Sequence, residues 1–116
     1  MDFASYSSEG QFVPKKIADA FRTTSEEVGR TLGLGKDAIQ RRDRLKSDKT
    51  QKRLREMIEI INKVEPRFGS PMMAYAWYRS EPLPGFGNMT AMHLVREGRS
   101  TDVLDFIDAV DAGVYT

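Results

Sequence analysis

Punctuation constrains this chain more than any other feature of its sequence. Proline, glycine and capping residues recur along it, and the stretches between them carry apolar residues at helical spacing. Pro14 suits the first turn of a helix whose apolar face is Ile17, Ala18 and Phe21. Thr24, with Glu27 three residues on, has capping-box spacing, and Val28 and Leu32 follow as an i, i+4 pair before Gly33 stops the helix. A short third helix is predicted over 36–44, with Ile39 facing inward. A longer one is predicted from Thr50 to Val64, carrying Leu54, Met57, Ile58, Ile61 and Val64, with Pro66 and Gly69 ending it. Pro71 opens a helix with Met72, Met73, Tyr75, Ala76, Trp77 and Tyr78. Being apolar nearly all round, it reads as central to the fold or to an interface. Pro82–Gly87 is a turn-rich loop. Thr90 caps a short helix ending at Gly98, and Ser100 or Thr101 caps the last, whose stripe is Val103, Leu104, Phe106, Ile107 and Val110. Gly113 stops it. No convincing strand or repeat is visible, and the fold class is all-α. The division predicted is a flexible arm over 1–13, a first helical unit over 14–46 and a second over 47–116 with a C-terminal tail.

Composition narrows the functions open to such a chain. With 116 residues, 40% hydrophobic and 30% charged, it has an ordinary globular composition and a modest core. It contains no cysteine and one histidine, so thiolate zinc sites, disulfides and multi-histidine metal sites are excluded. No secretory signal pattern opens the chain and no apolar run is long enough to span a bilayer, so the expected location is the cytoplasm. No nucleophile elbow, phosphate loop or dinucleotide fingerprint is present. Gly85-Phe-Gly87 is too short for one, and Glu26 and Glu27, adjacent on a helix, point to different faces. An enzyme is not expected, nor a cofactor.

Charge is distributed unevenly although its sum is only +1. Between Lys36 and Arg55 stand nine basic residues, with Asp37, Asp43 and Asp48 the acids before Glu56. The last fifth reverses this, with Glu97, Asp102, Asp105, Asp108 and Asp111 against Arg96 and Arg99. A basic middle and an acidic end point to two different partners.

The segment from Ser25 to Ile39 has the parts of a helix-turn-helix. Gly29 allows a close helix crossing, Gly33 can take the left-handed conformation, and Val28, Leu32, Leu34 and Ile39 can pack the pair. The second helix then offers Lys36, Asp37, Gln40, Arg41, Arg42 and Arg44 to DNA. Gln and Arg read base edges, and Lys and Arg hold phosphates. The spacing resembles the Xre/Cro-type repressor motif. It departs from it at Arg42, where such motifs often carry an apolar residue, which implies a shorter or differently anchored recognition helix. A helical hairpin with a solvated basic face, or one that meets an acidic protein, has the same pattern.

Further on, Ala76-Trp77-Tyr78-Arg-Ser-Glu-Pro82-Leu-Pro-Gly-Phe-Gly87, Thr90-Ala-Met-His-Leu-Val-Arg-Glu-Gly98, Val103, Ile107 to Val110 and Gly113-Val-Tyr-Thr116 follow in order. This half resembles the toxin-binding domain of the Xre/ParS/MbcA antitoxins; with the upstream motif, the resemblance spans most of residues 14–116. Thr90 replaces a proline common in many relatives. The resemblance implies an antitoxin that neutralises a RES-fold or ParT-type NAD-using toxin by placing its C-terminal end in the toxin's active site. Carried onto this chain, the plug is Gly113, Val114, Tyr115 and Thr116, with Asp105, Asp108 and Asp111 drawing it toward a basic pocket mouth. The NAD belongs to the toxin. The partners implied are that toxin, operator DNA and a second copy of the chain. A helix-turn-helix transcription regulator without a toxin is the alternative, and an inhibitor whose helix-turn-helix serves only protein contact is a third reading. Val114 and Tyr115 fit a helix stop folded back on the domain as well as a plug. Tyr75, Trp77 and Phe86 read as core, His93 as a helix-surface residue, and the methionines Met57, Met72, Met73, Met89 and Met92 as adaptable packing.

Overall fold

The computed structural model describes residues 3–113 as a mainly helical fold. Its elements are β1 (Ser7–Ser8), β2 (Gln11–Phe12), α1 (Pro14–Phe21), α2 (Ser25–Thr31), α3 (Lys36–Gln40), α4 (Arg42–Leu45), α5 (Asp48–Phe68), α6 (Pro71–Ser80), α7 (Ala91–Arg96) and α8 (Ser100–Asp111). A single 3-10 turn, Phe3–Tyr6, precedes them. Among the described residues, no helix is long and apolar enough to cross a membrane.

Residues 3–13 of the expected arm are packed structure. β1 and β2 pair antiparallel, Ser7 opposite Phe12 and Ser8 opposite Gln11. Glu9 and Gly10, at φ 52° and 78°, make the two-residue turn, the positive pair that a right-twisted hairpin needs. Glu-Gly is not a usual hairpin dipeptide, which is why the sequence reads as a loose, strandless arm. Aromatic burial overrides that reading: Tyr6 and Phe12 are inside, and the Tyr6 ring lies 5.8 Å from Phe21.

Several helix ends fall where their chemistry places them. Thr24 Oγ1 accepts from the Glu27 N–H at 3.1 Å, while the Glu27 carboxylate turns to Arg30 at 3.5 Å. Ser70 caps α6 and Thr90 caps α7. α5 is longer than expected, beginning at a Ser47 cap and running past Pro66 to Phe68. Pro66 is exposed in the last turn, where water can serve the carbonyl it cannot bond. Gly69, at φ 80°, closes the helix instead. Neither Ser100 nor Thr101 caps α8; Arg99 holds the cap position without a side-chain bond. The Ser100 hydroxyl donates to Glu56 Oε2 on α5 at 2.6 Å, a charge-assisted bond stronger than one to a backbone amide.

α5 is the central helix. It packs against α6, α7 and α8 and buries Leu54, Met57, Ile58, Ile60, Ile61 and Val64. α1 crosses to α6, stacking Phe21 on Tyr75 at 4.6 Å. One apolar cluster therefore runs from Tyr6 to Ile107, continuous across residue 46, where the two helical units were expected to meet. α6 buries one face only. Ala74, Tyr75 and Tyr78 are inside, Trp77 is half-buried against Phe68 at 6.2 Å, and Met72 and Met73 are 39% and 49% exposed. Phe86 is likewise half-buried, its ring 6.0 Å from Phe106. His93 is exposed on α7.

Candidate nucleic-acid interface

α2 and α3 meet through the turn 32–35. Gly33 adopts φ 70° and its N–H reaches Arg30 O at 3.0 Å; the Leu34 N–H reaches Gly29 O at 2.9 Å. Val28, Leu32 and Ile39 are buried and Leu34 half-buried beneath the turn. The crossing is close: a Cβ built on Gly29 would lie 2.7 Å from Ile39 Cγ1. This is the role expected of Gly29 from its position in the sequence.

α2 is tied to the rest of the fold by a residue that sequence reasoning missed. Arg96, at the end of α7, donates from Nε to Thr31 O at 3.2 Å and from a terminal nitrogen to Arg30 O at 2.6 Å. A guanidinium at a helix C-terminus meets both the unsatisfied carbonyls and the negative end of the helix dipole. No local pattern marks Arg96, because its partners lie 65 and 66 residues away.

The expected single helix over 36–44 is two helices. α3 ends at Gln40, Arg41 is extended (φ −83°, ψ 124°), and α4 begins at Arg42. Arg42 is the cause legible in the sequence. Where an apolar side chain would have anchored a continuing helix, a charged one turns outward, and α4 buries no residue. The effect is to present cations from two short helices and the extended link between them.

Lys36, Asp37, Gln40, Arg41, Arg42 and Arg44 are all exposed. Arg41 lies 3.8 Å from Asp43. Among the described residues, no carboxylate pairs with Lys36, Arg42, Arg44, Lys46, Lys49, Lys52 or Arg55. Most cations elsewhere are engaged: Lys15 with Asp19, Arg53 with Glu56, Lys63 with Asp108, Arg67 with Asp111 and Arg99 with Asp102. The uncompensated positive charge is thus concentrated on α3, α4 and the first turns of α5. Such a surface binds phosphates, and Gln40 and Arg41 have the donors and acceptors to read bases. Asp37 repels phosphate and suits a cytosine amino group.

The acidic residues of α8 are placed differently from expectation. Asp105 is exposed. Asp108 binds Lys63 Nζ at 2.7 Å, and that hydrogen bond raises the Lys63 pKa. Asp111 binds Arg67, which also reaches Ile107 O at 3.4 Å. Two of the three acids therefore join α8 to α5 rather than forming an open acidic face. Lys63 and Arg67 lie one turn apart on α5 and Asp108 and Asp111 one turn apart on α8, so the two pairs stack along the helix crossing. Gly113 ends α8 at φ 84°, its N–H on Val110 O at 2.9 Å. The remaining plug residues, Val114, Tyr115 and Thr116, lie outside the described residues.

Three tyrosines, Tyr6, Tyr75 and Tyr78, are buried in the core. Burial, then the charge of Glu65, pushes the Tyr6 hydroxyl up to about 12, and burial raises Tyr75 and Tyr78 in the same direction. Among the described residues, no group of three acidic or histidine side chains is placed to hold a metal ion. No protein-family model matches this chain, and no curated protein or solved structure matches it.

Proposed function

We propose that this chain is a DNA-binding antitoxin. In this reading α2, the turn at Gly33 and α3 are a helix-turn-helix, and the fold from α5 onward is a toxin-binding domain. The observation that carries the DNA half is the uncompensated basic surface on α3 and α4, set on a helix crossing held close by Gly29 and Ile39 and braced by Arg96. Lys36, Arg42 and Arg44 hold phosphates, Gln40 and Arg41 face the bases, and the short α3 gives readout over few base pairs. A second copy related by a two-fold axis supplies the other half-site. The chain itself catalyses nothing and takes no cofactor.

The toxin half rests on the resemblance of the chain from about Phe68 onward to the Xre/ParS/MbcA antitoxins. There the plug of a RES- or ParT-type toxin is Gly113, Val114, Tyr115 and Thr116, with Asp105 the acid on α8 that has no ion-pair partner among the described residues and can meet a basic pocket mouth. A transcription regulator without a toxin is the second reading. It is favoured by one observation: Asp108 and Asp111 are already engaged by Lys63 and Arg67.

Co-expression with the product of the adjacent reading frame separates the two. The antitoxin reading expects the neighbour to be toxic, the intact chain to rescue growth and co-purify with it, and removal of 113–116 to abolish rescue while DNA binding persists. A harmless neighbour with no complex leaves the regulator.

A further inference from the structure

The β1–β2 hairpin builds a groove that the helix-turn-helix reading does not use. Two adjoining depressions, of about 330 and 450 Å³, open between the hairpin and α4–α5. Gln11, Phe12 and Lys46 border both, so they form one continuous groove. Its cations are Arg42, Lys46, Lys52 and Arg55, and its acids are Glu9 and Asp48. None of the four cations has an ion-pair partner among the described residues. The N-terminus of the 21-residue α5 opens into the same place, adding the positive end of its dipole.

The walls are fixed. Gln51 accepts from the Phe12 N–H at 2.8 Å, and donates to Phe12 O at 3.2 Å and Leu45 O at 3.0 Å. One amide thus joins the hairpin, the end of α4 and the first turn of α5. The Arg55 guanidinium lies 5.4 Å from the Phe3 ring centroid and 5.6 Å from that of Phe12, a cation–π contact on both rings. The hairpin that the sequence reads as a loose arm therefore serves as a rigid wall.

We propose that this groove holds the sugar-phosphate backbone of the DNA duplex, gripped by Lys46 and Lys52, with Arg42 joining it to the α3–α4 face. The inference rests on the DNA-binding reading above and extends it: the footprint runs past the helix-turn-helix onto the arm and α5. Lysine grips phosphate as a point charge without reading sequence, so the groove adds affinity and orientation rather than specificity. Glu9 and Asp48 also line the groove and lower its net positive charge, so the grip falls to the two lysines and Arg42.

The test is a salt titration of the full chain on a short fluorescein-labelled duplex of mixed sequence, followed by anisotropy. The Lys46→Gln/Lys52→Gln double variant is compared with wild type and with Lys63→Gln, whose charge is paired with Asp108. Each phosphate that a variant no longer neutralises lowers the slope of log K against log salt by about 0.9, so the double variant drops by about 2, and Lys52→Gln alone by about 1. The loss is the same on any duplex sequence, and Lys63→Gln keeps the wild-type slope. A double variant with the wild-type slope overturns the groove while leaving the helix-turn-helix reading intact. An equal drop in Lys63→Gln overturns it in favour of net charge. Competition by polyglutamate as effective as by duplex, lost in the double variant, overturns it in favour of an acidic peptide site. A wild-type chain that binds no duplex overturns the DNA reading and this inference together.

Discussion

Replacing Gly29 with alanine tests the helix crossing that orients α3. Gly29 is buried inside α2 with ordinary helical backbone, so alanine there gains about 1 kcal/mol of helix propensity. Against this, the new Cβ would lie 2.7 Å from Ile39 Cγ1, a γ carbon of a β-branched side chain stiff at χ1. Overpacking of this kind costs roughly 1–3 kcal/mol. An open space of about 190 Å³ bordered by Gly29, Leu34 and Ile39 lets part of the overlap relax, which favours the middle of that range. The net expectation is a loss of about 1 kcal/mol for Gly29→Ala in the wild-type background. In an Ile39→Ala background the overlap is gone and only the propensity remains, so the same change stabilises by up to about 1 kcal/mol. The cycle therefore carries a coupling of about 2 kcal/mol, read from urea unfolding of the four proteins by circular dichroism. Equal effects of Gly29→Ala in both backgrounds, within about 0.5 kcal/mol, refute the close crossing.

Two other perturbations follow from particular contacts. Arg96→Ala removes the donor from Arg30 O and Thr31 O, and unfolding in urea is expected to show a loss of about 1 kcal/mol, of which Arg96→Lys restores only part because the two-pronged geometry is gone. DNA affinity falls with it, since α2 loses its brace. The Tyr6 pKa is raised in the fold, to about 12 against about 10 in an unfolded chain, so the stability it contributes is full below about pH 10 and is lost as pH rises through about 12. Tyr75 and Tyr78 act in the same sense. Helix ellipticity and tyrosinate absorbance recorded together across this range are expected to change in step, and Tyr6→Phe to flatten the early part of the decline. Ionisation with no loss of helix contradicts the assignment.

What was legible in the sequence was local. Caps at Thr24 and Thr90, the stop at Gly33 and the stripe of α5 are set by residues within a turn or two of one another. The close approach at Gly29 and the interruption near Arg42 were likewise readable, one from a missing side chain and the other from a charge at an anchoring position. What was hidden depends on partners far along the chain. The hairpin persists because Tyr6 and Phe12 find Phe21 and Gln51, and Gln51 lies 39 residues from Phe12. Ser100 leaves the capping role for a carboxylate 44 residues away. The acidic face on α8 shrinks because Lys63 and Arg67 reach it across the helix pair. The candidate DNA-contact side chains are exposed as expected, because a charge is costly to bury unless paired, and the same holds for Asp105, Asp108 and Asp111 on α8. Whether an acid is free depends on which cation the fold brings beside it.

The most direct measurement is a titration of the full chain on the duplex lying immediately upstream of its own start codon. Mixed-sequence duplex and a Lys36/Gln40/Arg41/Arg44 to alanine variant run alongside it. Wild type is expected to prefer the upstream duplex, and the variant, equally folded by circular dichroism, to lose the preference, if α3 and α4 read DNA. Equal binding to both duplexes by wild type, or an undiminished preference in the variant, contradicts it.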